Sequence, residues 1–176
     1  MDKPIPQSYW VLPGRFLAGE YPAHDNDRAG TRQRIAAFLG AGLDTFIDLT
    51  NPDERASYAS ILGIEAKKFG LEVRHLRFPF PDFGVPSQTL MGAALEAVDA
   101  ALAGGHTVYV HCVGGIGRTG LLVGCYFVRH GMQSAYALRH LRELYQASLQ
   151  SLIVPLSPET TEQVGFILNW GENGLA

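Results

Sequence analysis

The chain has 176 residues, of which 47% are hydrophobic and 18% are charged, and its formal net charge is −3 at pH 7. This length suits one domain, and the apolar fraction excludes a disordered chain. The mild negative net charge argues against a nucleic-acid-binding function, because proteins of that class normally carry a basic face. We therefore expect a single domain over residues 1–176 and no nucleic acid partner.

The N-terminal segment has prolines at positions 4, 6 and 13 and no apolar run, which is against a secretory signal peptide. No stretch of the sequence is apolar for long enough to cross a bilayer. The two cysteines are too few for a disulfide framework. We expect a cytoplasmic monomer that makes no contact with membranes.

Strand-like runs then alternate with helix-like runs, and glycine, proline or asparagine residues separate them. In chain order the sequence predicts an edge strand over 15–19, a helix over 27–39, a strand over 44–49, a short helix over 52–61, a strand over 72–78, a helix over 87–102, a strand over 107–111 and helices over 119–129, 133–148 and 157–169. Asp53 and Glu54 are expected to cap the short helix, and Ser87 the helix that follows it. This alternation predicts an α/β domain whose central sheet is covered by helices.

A glycine-rich loop connects the strand predicted over 107–111 to a very apolar helix. Its residues 112–118, here called the phosphate loop, have the sequence Cys-Val-Gly-Gly-Ile-Gly-Arg. Glycines let successive N–H groups turn inward, and the helix N-terminus adds free donors and a partial positive charge. Arg118 adds a planar guanidinium that matches two phosphate oxygens. The expected phosphate-binding residues are Val113, Gly114, Gly115, Ile116, Gly117 and Arg118.

Cys112 begins this loop, where the N–H groups and Arg118 favour a thiolate that can attack a bound phosphate. The Thr119 hydroxyl is expected to donate a hydrogen bond to the sulfur and help it leave later. A buried structural cysteine is the plain alternative. The glycines at 115, 117 and 120 also match a dinucleotide-binding pattern, but no acidic residue follows at the required distance. Cys112 and Arg118 therefore favour covalent phosphate chemistry.

The segment from His111 to Thr119 resembles the H-C-x5-R-[ST] signature of cysteine-dependent protein tyrosine phosphatases. It is most similar to dual-specificity phosphatases of the kinase-associated type, and the resemblance extends over about residues 9–170. It implies a central mixed, mostly parallel sheet with helices on both sides, a phosphocysteine intermediate, and neither a metal nor another cofactor. It also implies that His111 fixes the loop geometry and tunes the thiol.

Expulsion of the leaving oxygen needs a proton donor, and Asp82 is the strongest candidate for this general acid. It lies in the proline-rich loop 80–86, where Asp82 and Pro86 resemble the D-x-x-x-P element of the family. An aspartate in such a loop is ordinarily a turn former. Two roles are open for Gln163. It could orient the hydrolytic water, as a glutamine does in some relatives, but a solvated helix residue is the expected role. Cys125 is expected to be a small core residue.

The substrate class is indicated by what the phosphate loop lacks. Family members that cleave inositol phospholipids often carry lysines there, and residues 113–117 contain none. The leading hypothesis is a phosphorylated protein or peptide as partner, with phosphotyrosine, with or without phosphoserine and phosphothreonine, as the substrate group. The alternatives are a phosphoinositide or other small-molecule phosphatase, and a non-catalytic phosphate-binding module.

Overall fold

The structure, a computed structural model, describes residues 2–24 and 26–171. Within this part of the chain, five strands and six α-helices form an α/β domain. The strands are β1 Ser8–Leu12, β2 Phe16–Gly19, β3 Thr45–Asp48, β4 Arg74–Arg77 and β5 Val108–His111. The helices are α1 Arg28–Gly40, α2 Ala59–Phe69, α3 Gln88–Ala103, α4 Gly117–Arg129, α5 Ser134–Tyr145 and α6 Thr161–Leu168, with a 3₁₀ helix over Leu149–Leu152. Among these residues, none of the helices combines the length and hydrophobicity that a bilayer crossing requires.

The five strands form one mixed sheet in the order β1-β2-β5-β3-β4. β1 pairs antiparallel with β2, and the other neighbours are parallel, so the sheet is mostly parallel as expected. His111 at the end of β5 lies opposite Gly19 of β2 on one side and Asp48 of β3 on the other. The carboxyl ends of these strands therefore meet at one edge, which is where parallel α/β sheets place their ligands.

The sheet separates two hydrophobic cores. One core lies under α1 and α2 and includes Phe38, Phe46 and Tyr109. The other lies under the remaining four helices and includes Val108 and Val110, because side chains of a strand alternate between its two faces. Helix α4 is buried along nearly its whole length, as its all-round apolar sequence predicts.

Two predictions for the first half of the chain are wrong, one of a strand and one of a helix. Residues 15–19 do not form an edge strand, because β2 lies between β1 and β5. The strand at the edge is Ser8–Leu12, which the prolines on both sides of it concealed. The predicted helix over 52–61 is also misplaced, since α2 begins only at Ala59 and its N-cap residue makes no side-chain cap. Asp53 and Glu54 therefore cap no helix.

The last helix begins later than its serine-proline signal suggests. α6 starts at Thr161, and its cap is Thr160, whose hydroxyl accepts a hydrogen bond from the Gln163 N–H. Ser157 serves another purpose, because its hydroxyl donates a hydrogen bond to the carbonyl of Ile116 in the phosphate loop. The cap predicted at Ser87 is formed, since its side-chain oxygen accepts a hydrogen bond from the Leu90 N–H. The structure adds a cap at Asp27, whose side chain accepts from the Gly30 N–H at the start of α1.

Candidate active site

The phosphate loop is held in place by the end of β2. Gly115 has a φ of +72° and lies so close to β2 that a Cβ atom there would be 2.5 Å from the Glu20 nitrogen and closer still to the Gly19 carbonyl carbon. The Tyr21 N–H donates to the Val113 carbonyl at 2.9 Å. A side chain at position 115 would thus meet both a backbone clash and an unfavourable φ. The loop conformation depends on this glycine.

Helix α4 begins within the phosphate loop, at Gly117. Its N-cap residue is Ile116, whose side chain makes no capping hydrogen bond. The N–H groups of the first turn are therefore left for another acceptor, and the helix dipole places partial positive charge beside them. These backbone donors are the groups from which the sequence predicts an anion site, and the anion itself stays a prediction.

Cys112 opens onto a cleft of about 510 Å³ that is lined by the phosphate loop on one side. The thiol is 97% covered by its neighbours, with an exposed fraction of 3%. Asp82 and Phe83 of the proline-rich loop line the same cleft, as do Glu159 and Gln163 from the segment before and within α6. The structure thus brings Asp82 into the same cleft as Cys112 and Arg118, although Asp82 lies in a different loop of the sequence.

Arg118 is buried, and its guanidinium is fixed from two sides. Nη1 and Nη2 donate to the two carboxylate oxygens of Glu54, each at 2.8 Å. Nη2 also lies 3.0 Å from Oδ1 of Asp82. Burial lowers the pKa of Arg118, but the hydrogen bond to Glu54 and the negative charges of Cys112, Glu54 and Asp82 together outweigh burial and raise the pKa above its ordinary value. The positive charge of the site is therefore permanent.

Glu54 is a site residue that the sequence interpretation missed. Burial raises its pKa, but hydrogen bonds from Arg118 and Asn51 outweigh burial and hold the pKa below its ordinary value. Its carboxylate also accepts from the Asn51 N–H at 2.9 Å. A usable signal was present, because Glu54 follows β3, whose carboxyl end lies beside that of β5.

Asp82 lies in the cleft but is half exposed, with 55% of its side chain accessible to solvent. Its Oδ1 lies 3.0 Å from Nη2 of Arg118, so the carboxylate reaches the guanidinium that the sequence predicts to bind phosphate. The next residue, Phe83, has a φ of +56° and is 64% exposed. The proline-rich loop therefore carries its acidic residue over the phosphate loop, on the open side of the cleft.

His111 is fully buried behind the phosphate loop. Its Nδ1 lies 3.2 Å from the Cys112 carbonyl, and its Nε2 lies 2.7 Å from the Tyr58 hydroxyl. Burial lowers the pKa of His111 to about 4, against the opposing effect of Asp48. The ring is thus neutral at pH 7, and since a carbonyl only accepts, Nδ1 carries the proton and Nε2 accepts from Tyr58. This geometry fits a residue that orients the loop.

Asp48 completes this buried network below His111. Its Oδ2 accepts from Arg77 Nε at 3.0 Å and Nη2 at 2.8 Å, and lies 3.1 Å from His75 Nε2. Burial raises the pKa of Asp48, but hydrogen bonds from His75 and Thr50 and the nearby His111 outweigh it, so the pKa lies far below its ordinary value. Asp48 is therefore an ionised structural residue, and its negative charge neutralises the positive charge of Arg77.

Thr119 departs from its predicted contact. It is fully buried, and its hydroxyl makes no hydrogen bond, so the expected bond to the Cys112 sulfur is not formed. The other cysteine, Cys125, is fully buried in α4, and burial raises the pKa of its thiol well above the ordinary value. Only Cys112, of the two, faces the cleft.

The prediction of a solvated Gln163 is wrong, because the side chain is fully buried. α6 begins at Thr161, so Gln163 occupies the third helical position and turns toward the cleft. Its Nε2 donates to the Gly84 carbonyl at 3.1 Å, and its amide lies 3.1 Å from the place of a Cβ atom at Gly117. Gln163 thus touches both the proline-rich loop and the phosphate loop.

Glu159 is a further cleft residue that no sequence signal singled out. Its carboxyl carbon lies 3.1 Å from the place of a Cβ atom at Gly117. Burial raises the pKa of Glu159, and the negative charge of Asp82 raises it further against the effect of Arg118. The described residues contain no group of three or more His, Cys, Asp or Glu that could hold a metal ion.

The chain is similar to known phosphatases in sequence and in structure. Residues 25–132, more than half of the chain, match the family model described as Tc-R-P, polymorphic toxin system, DSP-PTPase phosphatase. The dual specificity protein phosphatase CDC14B of Mus musculus is 31% identical over 144 residues, which are 76% of this chain and 26% of that protein. The chain likewise spans only part of the length of other curated relatives that it matches.

Two solved structures have the same fold. Tk-PTP in its active form matches with a TM-score of 0.71 and 22% identity, covering 96% of this chain and 98% of that chain. PTPMT1 in complex with PI(5)P matches with a TM-score of 0.63 and 18% identity, covering 94% and 95%. At these identities the likeness establishes the fold and leaves the substrate open.

Proposed function

Because the chain belongs to the DSP-PTPase family of phosphatases, we propose that it hydrolyses phosphate monoesters on proteins, with Cys112 as nucleophile and Asp82 as general acid. The observation that carries this proposal is the meeting of Cys112, Arg118 and Asp82 in one cleft. In this proposal each group has a separate task in phosphate transfer.

In the first step the Cys112 thiolate attacks phosphorus, an S–P bond forms, and the bond to the leaving oxygen breaks. The phosphate oxygens bind the backbone N–H groups of the phosphate loop and the guanidinium of Arg118. A bound phosphate competes with Asp82 for Nη2 of Arg118, which releases the carboxyl group from this contact. Asp82 then gives its proton to the leaving oxygen.

In the second step a water molecule attacks phosphorus, Asp82 takes a proton from it, and the S–P bond breaks. The electrons return to sulfur, and inorganic phosphate leaves. We propose that Gln163 orients this water, which is supported by the position of its amide between the proline-rich loop and Gly117. We assign His111 a positioning role, since it contacts the Cys112 carbonyl and lies behind the loop.

A protein substrate is favoured over a highly phosphorylated small molecule by the charges around the cleft. The lining residues include two carboxylates, Asp82 and Glu159, and one cation, Arg118. Arg118 is already paired with Glu54. A substrate with several phosphates would meet this negative charge without further lysines or arginines to balance it. Phosphotyrosine, with or without phosphoserine and phosphothreonine, remains the proposed substrate group.

The test is hydrolysis of p-nitrophenyl phosphate by wild type, Cys112→Ser and the matched variant Cys125→Ser. We expect Cys112→Ser to lose all measurable turnover and still bind inorganic phosphate, because the N–H groups and Arg118 remain. Cys125→Ser should keep turnover, since its hydroxyl can bond to a helix carbonyl and lies away from the cleft. Turnover by folded Cys112→Ser at the wild-type rate would refute the mechanism.

A further inference from the structure

Exposed apolar side chains are concentrated beside the cleft. Among the described residues, the three most exposed large apolar side chains are Leu152 at 80%, Ile153 at 77% and Phe83 at 64%. Leu149 and Leu156, in the same segment as the first two, are also exposed. Large apolar groups left in water at one place of a folded protein mark a surface that binds a partner.

Two apolar side chains of the same segments line the cleft itself. Phe83 lines it from the proline-rich loop, and Val154 lines it from the segment between α5 and α6, directly after Ile153. We call Phe83, Leu152, Ile153 and Val154 the apolar rim. The backbone behind it is fixed, because the Tyr145 hydroxyl donates to the Val154 carbonyl at 2.9 Å. The apolar rim therefore has a fixed backbone at Val154 and lies next to the cleft in which the phosphate would react.

The charges of the same two segments decide between possible partners. Residues 80–92 and 146–163 contain no lysine or arginine, and they carry the carboxylates of Asp82, Glu159 and Glu162. Membrane surfaces are anionic and attract loops that combine apolar groups with lysines and arginines. The two segments of the rim supply carboxylates and none of these cations, which is unfavourable for contact with such a surface. It suits a polypeptide segment that is neutral or basic apart from its phosphate.

We propose that the apolar rim binds apolar side chains that flank the phosphorylated residue of a protein substrate, an inference that rests on the phosphatase function proposed above. The phosphate enters the cleft at Cys112, and the neighbouring side chains of the substrate lie against Leu152 and Ile153. Burial of these groups on both partners supplies affinity that a bare phosphate lacks. The rim then sets which phosphorylated segments are cleaved quickly.

The experiment compares two phosphotyrosine peptides of equal length and charge, one with leucine and isoleucine on both sides of the phosphorylated residue and one with alanine there. Wild type is compared with Leu152→Ser/Ile153→Ser and with the control Ile64→Ser/Phe69→Ser. The control residues are 43% and 44% exposed and lie on α2, on the opposite face of the sheet. Thermal unfolding confirms that each variant is folded.

We expect wild type to prefer the apolar peptide by about tenfold in kcat/KM, a size typical of one or two partly buried aliphatic groups. The rim variant should reduce this preference to about twofold, and the control should keep it. An unchanged preference in the rim variant would overturn the proposal. Binding of wild type to phosphatidylserine vesicles that is lost in the rim variant, without any peptide preference, would overturn it in favour of a membrane surface.

Failure of the phosphatase function itself gives a different result. In that case wild type hydrolyses neither p-nitrophenyl phosphate nor either peptide. If the rim proposal alone fails, all three substrates are hydrolysed, and the ratio of kcat/KM between the two peptides is the same in the rim variant as in wild type.

Discussion

Glu54 and Arg118 are joined by two parallel hydrogen bonds, in which each terminal nitrogen of the guanidinium lies 2.8 Å from a different carboxylate oxygen. Such a two-point pair fixes the plane of the guanidinium, because rotation breaks both bonds at once. Glu54 comes from the turn after β3 and Arg118 from the start of α4. The guanidinium of Arg118 is thus oriented by Glu54, which lies outside the phosphate loop.

We predict that Glu54→Gln raises KM for p-nitrophenyl phosphate and lowers kcat/KM by about tenfold or more, since one charge-assisted bond to Arg118 is lost. The neighbouring Asp53→Asn is the control, because Asp53 is exposed. Steady-state kinetics at pH 6 to 7 measures both. A Glu54→Gln variant with wild-type KM would show that the pair does not orient Arg118.

Asp82→Asn should lower kcat by about 10²-fold and flatten the basic limb of the pH–rate profile, because an amide has no proton to give. The loss should shrink for aryl phosphates with strongly acidic phenols, which leave without protonation. Profiles for a series of such esters measure this, and Glu162→Gln is the control on the same side of the cleft. A retained basic limb would transfer the acid role to Glu159, the other carboxyl group in the cleft.

Gly115→Ala should destabilise the fold and weaken phosphate binding, because a side chain at φ +72° would also overlap the β2 backbone. We expect the free energy of unfolding to fall by about 1–3 kcal/mol. Gly92→Ala is the matched control, since Gly92 lies within α3 with no atom near its added Cβ. That change should stabilise the helix by about 0.5–1 kcal/mol. Urea unfolding and inhibition by inorganic phosphate report both effects.

Acid should weaken the fold through His111. Its pKa is lowered from 6.5 to about 4 in the folded protein, so the unfolded chain binds more protons between these values. Stability is therefore unaffected by this group above pH 6.5 and falls as the pH drops towards 4, by at most about 1.4 kcal/mol per pH unit. Asp48, whose folded pKa is also lowered, adds to the loss below about pH 4.

The pH effect is measured by urea unfolding of wild type and His111→Gln at pH 7, 6 and 5. The variant should have lower stability at pH 7 but a flatter dependence on pH. His140→Gln serves as control, because His140 is 41% exposed on α5. An equal slope in wild type and His111→Gln would exclude His111 as the group responsible.

The sequence alone was sufficient to predict the strand, loop and helix around Cys112, because the signal for them is local. The strand before it is short and apolar, the helix after it is apolar on all sides, and the glycines and Arg118 lie between them. The fold class followed from the alternation of strands and helices. Asp82 was found because its loop resembles the family's acid loop.

The residues that were missed act through contacts distant in the sequence. Glu54 follows a proline in what looks like a helix start, and only the pairing of β3 with β5 brings it to Arg118. Gln163 was taken for a solvated residue because the start of α6 was placed four residues too early. β1 lies between prolines, and its pairing with β2 overrides that local signal.

The burial pattern of the cleft divides it into a fixed half and an adjustable half. Cys112 and Arg118 are buried in a loop that is braced by β2, Glu54 and α6, so changes there disturb the fold. Asp82, Phe83 and the Leu152–Ile153 segment are exposed, and substitutions at exposed positions cost little stability. If the proposed recognition of substrate segments by the apolar rim holds, substitutions there can change the preferred substrate and leave the folded core around Cys112 and Arg118 intact. Substrate preference and stability are then separately adjustable by mutation in this protein.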